Sequence, residues 1–174
     1  MQYLQQHGIQ VHAVPGITAA AGICAELDIP MTHRGVATSV GFLTGHSREG
    51  GESQLDDTIT ASADPHTTLI VYMGLATLPL LVQQLTACGM SRDVPAVAVE
   101  RGTTAEQRVV FATLSNFHSS IQEAKLKSPT LLVIGDVVRL APGWQQTRDV
   151  AAAGGVTAAA ASAVVQQEHD CARL

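Results

Sequence analysis

The chain has 174 residues, of which 46% are hydrophobic and 14% charged, against about 25% charged in an average soluble protein. That length admits one domain, with or without a tail, and the apolar content excludes disorder over the whole chain. Ten Lys and Arg against fifteen Asp and Glu give a net charge of −5, the wrong sign for a protein held on nucleic acid or anionic lipid by overall charge.

Short β-type runs and longer helical patterns alternate from the first residues, which is the pattern of an α/β fold. QVHAV at 10–14 reads as a strand, ended by the turn signal Pro15-Gly16. Thr18 then stands where a helix N-cap belongs. A helix through Ala19 to Leu27 follows, narrow on its alanine face, and Pro30 stops it. VATSVGFLTG at 36–45 reads as a strand and SREGGESQLDD after it as a polar loop, a candidate lid or rim. TLIVYM at 68–73 is nearly continuous in apolar residues, as expected of a strand covered on both faces. A helix over about Leu78 to Cys88 ends at Gly89. AVAVE at 96–100 and QRVVFAT at 107–113 are the next strands, SNFHSSIQEAK a helix with Ser115 as its cap, and TLLVIGDVV a final buried strand. Past Trp144 the composition changes: residues 151–174 contain nine alanines and few large apolar side chains, so they read as a tail with little to bury.

Cys24, Cys88 and Cys171 are far apart and odd in number, which fits neither a disulfide framework nor a thiolate zinc site and implies a reducing compartment. The longest apolar stretch, 67–82, is shorter than a bilayer span and is broken by Gly74 and Pro79, so no membrane helix is expected. MQYLQQHG carries neither a secretory nor a transit signature, and a cytoplasmic location is the expectation, with a plastid as the alternative if a transit peptide precedes it. Aromatics are only 3% and are not interleaved with basic residues, so no nucleic-acid partner is expected.

Four segments have the residue types for chemistry. VPGITAAAG at 14–22 would place unpaired helix N–H groups and the Thr18 hydroxyl at a strand's carboxyl edge, where a carboxylate, phosphate or ribose can bind; taken alone, an ordinary capped helix is the favoured reading, since capping is what threonine usually does there. PMTHRGVATSVGFLTGH at 30–46 crowds His33, Arg34 and His46 around one strand, suited to a polyacidic small molecule. Its two histidines lack a third ligand at zinc spacing, so no metal is expected. YMGL at 72–75 offers Gly74 for close backbone approach and the polarizable Met73. VERGTTAEQRVV at 99–110 turns sharply at Gly102. Cys24 reads as a small core residue, and Asp56 and Asp57, being adjacent, point apart and make a poor acid/base pair. Neither GxGxxG after a strand nor a P-loop occurs.

In order and spacing, VPGITAAAG, IPMTHRG with SVGFLTGH, TLIVYMGL, VAVERGTTAEQRVV and SPTLLVIGDVVRL resemble the C-terminal part of uroporphyrinogen-III C-methyltransferases, including the methyltransferase module of siroheme synthases, over about Gln10 to Leu140. The resemblance implies the two-domain tetrapyrrole methylase fold: residues 1–16 as a remnant of the N-terminal domain, 17–145 as the C-terminal α/β domain, 146–174 as a tail. It implies S-adenosyl-methionine as methyl donor and C-methylation of uroporphyrinogen III to precorrin-2, as a homodimer in the siroheme or cobalamin branch. The family's donor contacts fall on Thr18, Ala19, Met73, Gly102 and Thr130; Thr130 and Arg101 stand where Ala and Asn are usual. His33, Arg34 and His46 are candidates for the acidic side chains of the macrocycle, from charge type and placement alone. No catalytic residue is assigned. GxGPGD and GGDP, which belong to the family's N-terminal domain, do not occur, which suggests a fragment of a longer chain. Two alternatives keep different parts of this reading: a non-catalytic interaction module, and a methylase of a later corrin intermediate.

Overall fold

Five short apolar runs pair into one sheet in the computed structural model, which describes residues 1–45, 59 and 63–152. A helix α1 (Gln2–Gln6) and an extended segment precede helix α2 (Ala19–Glu26). Strands β1 (Ser39–Thr44) and β2 (Thr67–Tyr72) follow, then helix α3 (Leu78–Ala87), strands β3 (Pro95–Glu100) and β4 (Arg108–Thr113), helix α4 (Phe117–Glu123), strand β5 (Thr130–Ile134), a 3-10 turn (Asp136–Leu140) and helix α5 (Pro142–Ala152).

The spatial order is β1-β2-β5-β3-β4, with β1 parallel to β2 and every other pairing antiparallel. Alternate side chains go to opposite faces. Leu69, Val71, Ala96, Ala98, Leu132 and Ile134 pack against α3 and α4 through Leu81, Leu85, Phe117 and Ile121. Ile70, Val97, Val99, Leu131 and Val133 pack on the other face against Ala20, Ile23 and Cys24 of α2 and against Val137, Val138 and Trp144. The expected two-sided cover of TLIVYM is present, and Cys24 is a buried core residue at 2% exposure.

Four sequence expectations change, the first being that the final strand read in TLLVIGDVV stops at Ile134, where Gly135 at φ +143 turns the chain into the 3-10 turn Asp136–Leu140. QVHAV at 10–14 is not a strand: residues 9–18 have no ladder partner among the described residues, and Val14 and Ile17 are 89% and 86% exposed. β propensity alone does not make a strand, because its backbone groups need a neighbour. Helix α4 is capped at Asn116, not Ser115, whose hydroxyl instead pairs with that of Thr113. Beyond Trp144 the chain continues as α5 to Ala152, so the boundary expected at 145 falls inside a helix anchored by buried Trp144. His46, the loop that follows it, Asp56, Asp57, Cys171 and residues 153–174 lie outside the described residues. No described helix is long and apolar enough to cross a membrane.

Candidate functional site

The sheet's topology gathers the site. β5 lies between β2 and β3 and runs opposite to both, so the carboxyl ends of β2 and β3 flank the start of β5. Thr130 of β5 pairs with Glu100 of β3, and Leu132 with Val71 of β2. The turns leaving β2 and β3 and the turn entering β5 therefore share one edge, and the first turn of α2 closes over it. Together they line a hollow of about 1020 Å³.

Ala19, Met73, Gly102 and Thr130 all line this hollow, with Ile23, Tyr72, Leu75, Val99, Pro129 and Leu131 supplying most of its apolar wall. Thr18 caps the helix beside it. Its Oγ1 accepts the Ala21 N–H at 3.2 Å, while the Ala20 N–H donates to the Tyr72 hydroxyl at 3.1 Å. The expected row of unpaired amides at this helix start is thus partly filled by the protein itself. The sequence marks Tyr72 only as the first residue of YMGL; its position at the end of a buried strand, facing a neighbouring helix start, gives it this role.

Each turn is shaped by close approach. Met73 has φ +53 and is 56% exposed, so the chain leaves β2 in a left-handed step that projects the side chain outward. Tyr72 O accepts the Gly45 N–H at 2.7 Å, and a Cβ on Gly45 would lie 2.6 Å from Met73 O. A Cβ on Gly102 would lie 2.3 Å from Ile23 Cδ1, so only glycine lets the β3 turn sit on α2. Arg101 and Thr103 on either side have φ +48 and +64. That turn is tied by Arg101 N–H to Pro129 O at 3.0 Å, by Thr104 Oγ1 to Arg101 O at 2.7 Å and by Thr103 N–H to Gln107 Oε1 at 2.7 Å.

The turn into β5 contains the cis Ser128-Pro129 bond and is braced from below. Glu100, 5% exposed, accepts from Arg108 at 3.0 Å and from the Lys127 N–H at 3.2 Å; Arg108 also donates to the Ala124 and Lys125 carbonyls. Thr130 Oγ1 donates to Lys127 O at 2.6 Å, so its hydroxyl hydrogen is engaged with the turn.

His33 and Arg34 are exposed on the turn after α2, where His33 pairs with Ala37 as an isolated bridge, and they are not part of the lining. No group of three His, Cys, Asp or Glu among the described residues is placed to hold a metal. Burial pushes the Cys24 thiol up to about 11 and leaves it unsuited to act as a nucleophile near neutrality.

The model of the family "Tetrapyrrole (Corrin/Porphyrin) Methylases" matches residues 1–118. A chloroplastic S-adenosyl-L-methionine-dependent uroporphyrinogen III methyltransferase of Arabidopsis thaliana is 63% identical over 144 residues, covering 83% of this chain and 39% of the relative. A siroheme synthase of Stutzerimonas stutzeri is 43% identical over 154 residues, covering 88% and 32%. Among solved structures, a uroporphyrin-III C-methyl transferase of Thermus thermophilus complexed with S-adenosyl homocysteine is similar with a TM-score of 0.65 at 30% identity, covering 80% of this chain and 56% of that one. The chain therefore spans 32–39% of the length of these two curated relatives.

Proposed function

The chain belongs to the tetrapyrrole methylase family, and from that premise we propose that it forms one wall of an S-adenosyl-methionine-dependent C-methyltransferase that converts uroporphyrinogen III to precorrin-2. The observation that carries this reading is the meeting of Ala19, Met73, Gly102 and Thr130, from four separate segments, in one hollow. With Thr18 at its edge, these are the positions assigned to the methyl donor. The hollow's volume is at the upper end of small-molecule sites, and its wall is mostly apolar with a few polar groups, as a nucleoside bearing a sulfonium requires.

The chemistry asks little of a side chain. An electron-rich pyrrole carbon attacks the sulfonium methyl, a C–C bond forms, the S–CH3 bond breaks with its electron pair staying on sulfur, and the positive charge passed to the macrocycle is discharged by loss of a proton to a base. The protein's task is to align carbon, methyl and sulfur and to exclude water. The glycine-dependent turn at Gly102 and the left-handed step at Met73 provide fixed backbone for that alignment. Exposed His33 and Arg34, outside the lining of the hollow, are our candidates for the macrocycle's acidic rim.

Incubating the chain with uroporphyrinogen III and methyl-labelled donor, alone and with the upstream portion of the Arabidopsis relative, tests the reading. Label in the macrocycle in either mixture is the expected result; none in both rejects it. The name of that relative favours a plastid over the cytoplasm. We also propose that the chain self-associates as a homodimer, which exposed Ile9, Val14, Ile17 and Phe42 support as apolar surface without cover.

A further inference from the structure

We propose that Arg101 is the carboxylate-reading group of the hollow and that Glu106 is its resident substitute, holding the guanidinium until a ligand carboxylate takes its place. This rests on the reading that the hollow takes the sulfonium donor and its acidic acceptor. Sixteen described residues line the hollow, and among them Arg101 and Glu106 are the two charged ones. A carboxylate brought against this otherwise neutral wall meets one cation, and a guanidinium offers it a planar fork of donors.

Arg101 is built to keep its backbone still and its head free. Its N–H donates to Pro129 O at 3.0 Å and its carbonyl accepts from Thr104 Oγ1 at 2.7 Å, so the Cα is held from both sides. The side chain, 48% exposed, has Glu106 as its one partner among the described residues, and Glu106 is 70% exposed.

Two other ion pairs among the described residues are committed elsewhere. Arg108 and buried Glu100 are bound into the backbone of the Ala124–Lys127 turn, and Arg139 spends a second donor on Asp93 O, away from the hollow. Among the described residues, the exposed Arg101–Glu106 pair alone is both without other side-chain anchors and inside the candidate site. Exposed pairs are screened and weakly held, so exchanging Glu106 for a ligand carboxylate costs little and preserves the charge-assisted bonds. The carboxylate can come from the donor's amino-acid end or from the macrocycle's side chains, and the probes below separate these sources.

The test is calorimetry on the full chain with three probes. They are S-adenosyl-homocysteine, 5′-methylthioadenosine, which keeps the nucleoside and thioether but lacks the carboxylate, and uroporphyrin III as the stable polycarboxylate. Arg101→Asn removes the fork while tolerating the positive φ, so the loop is retained. If the donor's carboxylate is read, Arg101→Asn weakens S-adenosyl-homocysteine by about tenfold or more and 5′-methylthioadenosine by less than about twofold, while Glu106→Gln tightens S-adenosyl-homocysteine by about two- to fivefold. If the macrocycle is read, the same pattern falls on uroporphyrin and S-adenosyl-homocysteine is unchanged. The proposal is overturned if Arg101→Asn spares both carboxylate probes, or if it weakens 5′-methylthioadenosine as much as S-adenosyl-homocysteine. Failure of the wild-type chain to bind any probe, both alone and with the upstream portion of the Arabidopsis relative, overturns the cofactor reading with it, whereas binding that ignores Arg101 overturns this inference alone.

Discussion

The phenolic oxygen of Tyr72 accepts the Ala20 amide hydrogen at 3.1 Å, joining the end of β2 to the first turn of α2 across 52 residues of sequence. A strand end and a helix start that belong to the same wall are thereby held at fixed separation. The Tyr72→Phe substitution removes the acceptor and keeps the ring. It should cost about 1 kcal/mol of stability, the net worth of one hydrogen bond, and lower donor affinity several-fold because α2 carries Ala19 into the hollow. Thermal unfolding and calorimetry read the two effects. Unchanged affinity alongside lost stability would separate Tyr72 from the site.

Gly102 makes a sharper prediction, since its missing Cβ is the space that Ile23 occupies. Gly102→Ala should destabilise by about 1–3 kcal/mol through overpacking and should displace the Arg101–Thr104 turn. Shortening the neighbour in the double variant Gly102→Ala/Ile23→Ala should recover part of the loss, because the two Ile23 atoms that clash, Cγ1 and Cδ1, are gone. A double-mutant cycle by urea denaturation measures that coupling, and strict additivity would contradict the contact.

The elements that the sequence made legible were those whose signal is local. β2, β3 and β5 are almost wholly apolar, and Gly89 at φ +95 ends its helix as glycine does after a C-cap. Alternation of strands and helices indicated layering, but the insertion of β5 between β2 and β3 depends on pairing between distant segments, which no window of residues encodes. The same distance hid Tyr72 and the partnership of Arg101 with the turn before β5. Segment 10–14 has the residues of a strand but no paired strand among the described residues, and α5 hid behind polar residues because its visible anchor is a single buried Trp144.

Beneath the β5 turn, Glu100 depends on Arg108. Glu100 is buried, so Arg108→Met should leave a carboxylate without its cation and cost about 3–5 kcal/mol. Glu100→Gln combined with Arg108→Met should be milder than Arg108→Met alone, since no lone charge stays in the interior. The order of the urea midpoints decides the matter, and a double variant less stable than Arg108→Met would reverse the argument.

Cys24 provides a pH prediction. Its thiol is raised from 9.0 to about 11 because burial disfavours the thiolate. A group whose folded-state value is raised contributes stability that is full below the unfolded value and is lost as pH climbs to the folded one. The contribution of Cys24 is therefore intact below pH about 9 and disappears progressively between about 9 and about 11. Cys24→Ala should flatten that segment of the stability profile. Iodoacetamide at neutral pH, followed by peptide mapping, should modify exposed Cys88 well before Cys24.

The segment before α2 separates stability from association. Val14 and Ile17 are 89% and 86% exposed and bury almost nothing within the chain, so replacing both by serine should change unfolding free energy by no more than about 0.5 kcal/mol. If these side chains seat against a second copy, as the homodimer reading holds, the same double variant should shift sedimentation toward the monomer and reduce aggregation at high concentration. An unaltered sedimentation profile would place the self-associating surface elsewhere, with Phe42 on the outer strand β1, 58% exposed, as the next residue to replace.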